Sequence, residues 1–148
     1  MIVGTEWLVE AMGCDPDALR DQDILRAVLS GVITELGLKS VGSCWHKFEG
    51  EGGVTGLIAL TESHLACHTY PEYNTATFNL YCCRTRPEWD WEGNLKVRLR
   101  ASAVRVTRIE RGIDQSQISD LQFGIESSNS ESPSEISDFK FEIAGGSQ

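Results

Sequence analysis

Positive charge is scarce in this sequence. Lys and Arg number 13 against 22 Asp and Glu, for a formal net charge of −9. Phosphate backbones and anionic bilayer faces repel such a chain, so nucleic acid and membranes are not expected as partners. A cationic small molecule suits it better. A secretory leader is not expected either: the opening MIVGTEWLVEAMG has no basic segment, and Glu6 and Glu10 break its apolar run. No hydrophobic stretch reaches the length of a bilayer span. The five cysteines (Cys14, Cys44, Cys67, Cys82, Cys83) are odd in number and lack C-x-x-C spacing. That pattern favours neither a disulfide framework nor a zinc site. Reduced thiols in a cytoplasmic protein are the expectation.

What is present fits one domain. The chain has 148 residues, 41% of them hydrophobic, enough for one core. Residues 1–112 read as that domain. After Gly112, seven acids (Asp114, Asp120, Glu126, Glu131, Glu135, Asp138, Glu142) face Lys140 alone, and SSNSESPSE is polar and low in complexity. Residues 113–148 are therefore expected to be an acidic, disordered tail, in which FKFEI has the pattern of an edge strand.

Element signals are spread along the domain. Residues 5–12 read as a short strand or turn, and Asp15-Pro16 as a turn. Asp21 or Asp23 caps a helix to about Leu36, with Ile24, Leu25, Val28, Leu29, Val32 and Ile33 at helical spacing and Gly37 at its end. Residues 40–48 read as extended, before a loop at Gly50, Gly52 and Gly53. The run Val54–Leu60 is apolar on both faces, the pattern of a fully covered central strand. Strands follow at 64–70, 76–83 and from about Val104, with a second helix over Pro87–Arg100. Strands mixed with two helices predict a two-layer α/β sandwich, its mainly antiparallel sheet covered by helices on one face.

The stretch Thr61-Glu62-Ser63-His64-Leu65-Ala66-Cys67-His68-Thr69-Tyr70-Pro71-Glu72-Tyr73 carries chemistry. A Ser/His hydrolase is one reading, but no G-x-S-x-G elbow is present. A His64/His68 metal pair needs a helix, and the flanking β-branched and apolar residues favour a strand, so no metal site is expected.

The segment ESHLACHTYPEY resembles the processing site of the prokaryotic, pyruvoyl-dependent S-adenosylmethionine decarboxylase proenzymes. Further blocks fit in order: Glu6 to Asp15, the capped helix, His46-Lys47-Phe48, and Val54-Thr55-Gly56. The resemblance is good over residues 5–85, weak over 86–111, and absent in the tail. It implies self-cleavage between Glu62 and Ser63 into 1–62 and 63–148. The Ser63 hydroxyl would attack the Glu62 carbonyl in an N-to-O acyl shift. Elimination and hydrolysis would then leave a pyruvoyl group, which forms a Schiff base with the substrate without pyridoxal phosphate. The product would be the aminopropyl donor for spermidine synthesis.

By the same resemblance, His68 moves a proton in processing, Thr55 steadies the ester and Cys83 donates the catalytic proton. Alternation supports Cys83 independently. Ala76, Phe78, Leu80 and Cys82 form an apolar face, and Thr77, Asn79, Tyr81 and Cys83 a polar one. In a straight strand Ser63 and His68 point to opposite faces, so their cooperation calls for a bend or bulge after the scissile bond. Glu72 could hold ribose hydroxyls and Phe48 could stack on adenine or meet the sulfonium. Trp45 reads as core, Glu6 and Glu10 as a solvated face, and Cys14, Cys44 and Cys67 as packing residues. A homodimer with its site near the interface is also implied. Where the family commonly has Asp-x-x-x-Cys-Gly, this chain has Asn79 and then Cys83-Arg84-Thr85-Arg86. That departure leaves arginine or ornithine open as alternative substrates, and a non-processing regulatory homologue open as a third reading.

Overall fold

Two aspartates start the first helices of the computed structural model, which describes residues 1–112. Asp15 accepts from the Asp17 N–H and opens α1 (Pro16–Arg20). Asp21 accepts from the N–H groups of Asp23 and Ile24 and opens α2 (Gln22–Glu35). Each aspartate satisfies amide donors that a helix start leaves unpaired. The expected turn at Asp15-Pro16 is thus a short helix, because proline is preorganised for a first helical position. Gly37, at φ 62°, follows α2 in the left-handed conformation that glycine tolerates at a helix end.

Six strands form one sheet: β1 (Ile2–Met12), β2 (Ser40–Lys47), β3 (Val54–Leu60), β4 (Ser63–Tyr70), β5 (Thr75–Cys82) and β6 (Ala103–Gly112). Their order is β2-β3-β4-β5-β1-β6, and every pairing is antiparallel. The expected second helix is α3 (Trp91–Leu99), shorter than Pro87–Arg100 at both ends. At its start the Asp90 side chain takes the Gly93 N–H, and at its end Arg100 turns left-handed.

The helices pack on one face of the sheet, as the alternation of the strands anticipates. Leu25, Val28, Leu29 and Val32 of α2 and Trp91, Leu95 and Leu99 of α3 meet Trp7, Val9, Leu65, Phe78 and Leu80 in one buried cluster. Trp45 packs against its margin, with its ring over Gly56, where a Cβ would lie 2.5 Å from the indole. The opposite face of the sheet is open among the described residues. This corrects the expectation that β3 is covered on both sides: Val54, Ile58 and Leu60 are buried, but Leu57 is 47% exposed. Cys44 is a second correction. It sits exposed on the edge strand β2, while Cys14 and Cys67 are buried as expected. The expected acidic tail and its FKFEI strand lie outside the described residues. No helix among the described residues is long and apolar enough to cross a membrane.

One buried polar side chain joins the layers beside the glycine loop. Thr69, 2% exposed, donates to the Leu19 carbonyl of α1 at 2.7 Å and accepts from the Val54 N–H at 2.8 Å. Gly53 lies so close to it that a Cβ there would meet the Thr69 carbonyl oxygen at 2.1 Å. Thr69→Val keeps the shape but leaves a donor and an acceptor unpaired, at about 1–3 kcal/mol for each group. Denaturant unfolding of this variant should show a lower midpoint with an unchanged slope; an unchanged midpoint would contradict the linking role.

Candidate active site

The β3–β4 hairpin places a serine in an unusual backbone conformation. Leu60 pairs with Ser63, which leaves Thr61 and Glu62 as the loop. Two-residue hairpin loops ordinarily take positive φ within the loop to match the strand twist. Here neither Thr61 nor Glu62 does so, and the positive φ of 146° falls on Ser63. A residue with a Cβ held there carries strain of roughly 1–3 kcal/mol. The strain thus sits on the residue that follows the Glu62–Ser63 peptide bond.

That bond is gripped from both sides. The Glu62 carbonyl accepts from the backbone N–H of Cys83 at 3.0 Å. The Glu62 carboxylate receives Nε of Arg86 at 3.1 Å and also pairs with Arg86 Nη2. This bidentate bond, and then the Arg86 charge, hold the Glu62 carboxyl below its usual range despite some desolvation. Arg86 also donates to the Leu36 carbonyl at 3.3 Å, satisfying an acceptor at the end of α2. Arg86, an unexplained departure in the sequence, is therefore a partner of Glu62.

Ser63 Oγ lies 3.2 Å from Nδ1 of His64 on the open face. His64 Nε2 meets Asn79 Oδ1 at 2.8 Å, and Asn79 Nδ2 donates to Glu6 Oε1 at 2.7 Å. Arg111 closes the row on the other oxygen of Glu6. The Glu6 carboxyl is held below its usual range, mainly by the Asn79 hydrogen bond, against desolvation and with help from Arg111. Glu6 is therefore part of a bonded network, which corrects its reading as a solvated face. Glu10 pairs with Arg105 at 3.1 Å. The sequence did offer a signal for Glu6 and Asn79: both share the polar side of their strands with His64.

His68 lies elsewhere on the same face. Its Nδ1 is 2.6 Å from Thr55 Oγ1, so two expected site residues meet across the β3–β4 ladder. The ring packs edge-on against Tyr70 at 4.5 Å and Phe48 at 5.7 Å. Phe48, His68, Tyr70 and Glu72 line a cavity of about 410 Å³. Beside it, Leu8, Thr55, Leu57, His68, Thr77 and Asn79 line another of about 480 Å³. The bend expected between Ser63 and His68 is not there. β4 pairs with β5 in unbroken register from Ser63 to Tyr70, and the irregularity is the φ of Ser63 itself. Five strand residues span about 16 Å, so the two do not meet within one chain.

Comparison with known proteins identifies the family. The S-adenosylmethionine decarboxylase family profile matches residues 5–112. The S-adenosylmethionine decarboxylase proenzyme of Moorella thermoacetica is 34% identical over 112 residues, covering 75% of this chain and 89% of that one. Its counterpart from Thermococcus gammatolerans is 32% identical over 114 residues, covering 76% and 79%. The chain belongs to the S-adenosylmethionine decarboxylase family. A crystal structure of the adenosylmethionine decarboxylase from Aquifex aeolicus VF5 superposes with a TM-score of 0.63 at 25% identity, over 77% of this chain and 94% of that one.

Cys83, expected from the sequence as the catalytic proton donor, lies just past the end of β5 and is exposed, beside buried Cys82. Burial pushes the thiols of Cys14, Cys67 and Cys82 up to about 11, so they stay protonated and shielded at neutral pH. Iodoacetamide should label Cys44 and Cys83 in the native protein and the other three only after unfolding, as read by peptide mass. Equal labelling of Cys82 and Cys83 would contradict the placement.

Proposed function

We propose that this chain is the proenzyme of an S-adenosylmethionine decarboxylase, which cuts itself between Glu62 and Ser63 and makes a pyruvoyl group from Ser63. The observation that carries the reading is a strained serine directly after a peptide carbonyl that already holds a hydrogen-bond donor. As Ser63 Oγ adds to the Glu62 carbonyl, negative charge grows on its oxygen. The Cys83 N–H, 3.0 Å away, is placed to stabilise it. The peptide C–N bond then breaks and an ester remains, so the backbone at Ser63 is freed from its strained φ. Loss of the Ser63 α-proton expels the Glu62 carboxylate from Cβ. Water then replaces the nitrogen, which leaves as ammonia, and a ketone stands at the new terminus. Arg86 keeps the released Glu62 end beside α2.

The residues at hand fit that group. When present, the pyruvoyl group supplies a ketone for the substrate's α-amine and a conjugated sink for the electron pair left by the carboxylate. Cys83, which starts on the scissile carbonyl, is the donor of the proton that returns to the α-carbon. Phe48 provides an aromatic face for the sulfonium or adenine, and Glu72 a carboxylate for the ribose hydroxyls. Arg86 is engaged by Glu62, which supports a role for it at the cleavage site rather than in substrate choice.

His68 and Thr55 are too far from Ser63 in their own chain, and a second copy laid on the open sheet face would bring them to it. We therefore infer a homodimer with two shared sites, in which His68 of one chain would take the α-proton of Ser63 in the other. Five unpaired thiols suit a reducing cytoplasm.

Carbon dioxide release by purified, cleaved protein should be seen with S-adenosylmethionine and not with arginine or ornithine. Ser63→Ala should remain a single chain and release none. Turnover of arginine or ornithine alone would contradict the substrate, and turnover by uncut Ser63→Ala would contradict the chemistry.

A further inference from the structure

His64 Nδ1 is within hydrogen-bond reach of Ser63 Oγ, and neither processing nor turnover as described above uses it. The proton direction along its row is fixed from the far end. Glu6 is ionised, and a carboxylate can only accept. Asn79 must then turn its NH₂ towards Glu6 and its carbonyl towards His64; the reverse would set two acceptors against each other. A carbonyl also can only accept, so His64 Nε2 carries the ring hydrogen. In the neutral ring Nδ1 then keeps a lone pair, 3.2 Å from the Ser63 hydroxyl. Arg111, on β6, neutralises Glu6 from outside. Next to His64, β3 presents Ala59 and β5 presents Tyr81, so among the described residues no second acid on these strands competes for the ring.

We propose that His64 is the catalytic base for the first step of self-cleavage, with Asn79 and Glu6 as the residues that position it. The proposal rests on the self-processing reading above. The Ser63 hydroxyl proton passes to His64 Nδ1 while Oγ bonds to the Glu62 carbon. The imidazolium returns that proton to the Ser63 nitrogen as the C–N bond breaks, so no co-reactant is needed. The positive charge that forms on the ring meanwhile faces the Asn79 carbonyl, with Glu6 behind it. His68 cannot take this step from its own chain, since its Nδ1 is committed to Thr55 about 16 Å along the strand. The two histidines divide the protons: His64 takes the one on Oγ, and His68 the one on Cα. Asn79, standing where the family commonly has an acid, relays a carboxylate from the neighbouring strand β1.

The steps separate chemically because hydroxylamine splits an ester and leaves a peptide intact. Full-length chain is followed from synthesis by denaturing electrophoresis, with and without hydroxylamine. His64→Ala should slow scission about 100-fold or more, the range of a lost general base, and give no hydroxylamine-labile material. Added imidazole should restore cutting. His68→Ala should accumulate uncut chain that hydroxylamine splits. His64→Gln, which keeps an N–H for Asn79, guards against a folding defect and should be as slow as His64→Ala. Glu6→Gln lets Asn79 turn over, and should slow scission by roughly tenfold without imidazole rescue, because the ring still fills its place. Wild-type rates in His64→Gln, or a hydroxylamine-labile ester in His64→Ala, would overturn the proposal. Wild-type rates in Glu6→Gln would overturn the positioning by Glu6. An uncut wild-type chain would instead overturn the self-processing reading, and this proposal with it.

Discussion

A single hydrogen bond, from the Cys83 N–H to the Glu62 carbonyl, ties together everything distinctive in this molecule. It extends the β4–β5 ladder one residue past Ser63 and Cys82, so it follows from ordinary antiparallel pairing. Its cost falls elsewhere. The Glu62 carbonyl is fixed to β5 and Leu60 is paired with Ser63, while neither loop residue takes the positive φ that would match the twist. The left-handed φ falls on a serine where glycine would be comfortable. Strain, polarised carbonyl and nucleophile thus arise together from one short hairpin in the middle of a well-packed sheet.

The rest of the domain keeps that hairpin from relaxing. The helices bury one face of the sheet, so β3, β4 and β5 cannot slip by one residue without exposing Leu65, Cys67, Phe78 and Leu80. Arg86 fastens the Glu62 side chain to the end of α2, and Thr69 fastens the far end of the hairpin to α1. The open face carries the polar residues. Its cavities and half-buried histidines look out on a surface that the described residues leave uncovered.

Much of this was legible from residue order. Alternation in Ala76–Cys83 separated buried Cys82 from exposed Cys83, because a side-chain period of two leaves little choice in a half-buried strand. The α2 stripe and its Asp21 cap were equally plain. Other features depend on neighbours distant in sequence. An apolar β3 looked buried on both sides because hydrophobicity does not say whether a second layer exists within the chain. Glu6 looked like a solvent-facing charge and Arg86 like a sign of another substrate, since their partners lie 73 and 24 residues away. The φ of Ser63 had no local signal at all. Serine does not favour it, and only the pairing on both sides imposes it.

The central claim is that the Glu62–Ser63 bond breaks from within and leaves a ketone. Intact mass of the fragment beginning at residue 63, with a carbonyl-reactive hydrazide as second readout, tests it most directly. The account predicts a fragment lighter by one ammonia than its serine-ended form and reactive with the hydrazide. A fragment ending in free serine, or an unbroken chain that ignores the reagent, would contradict it.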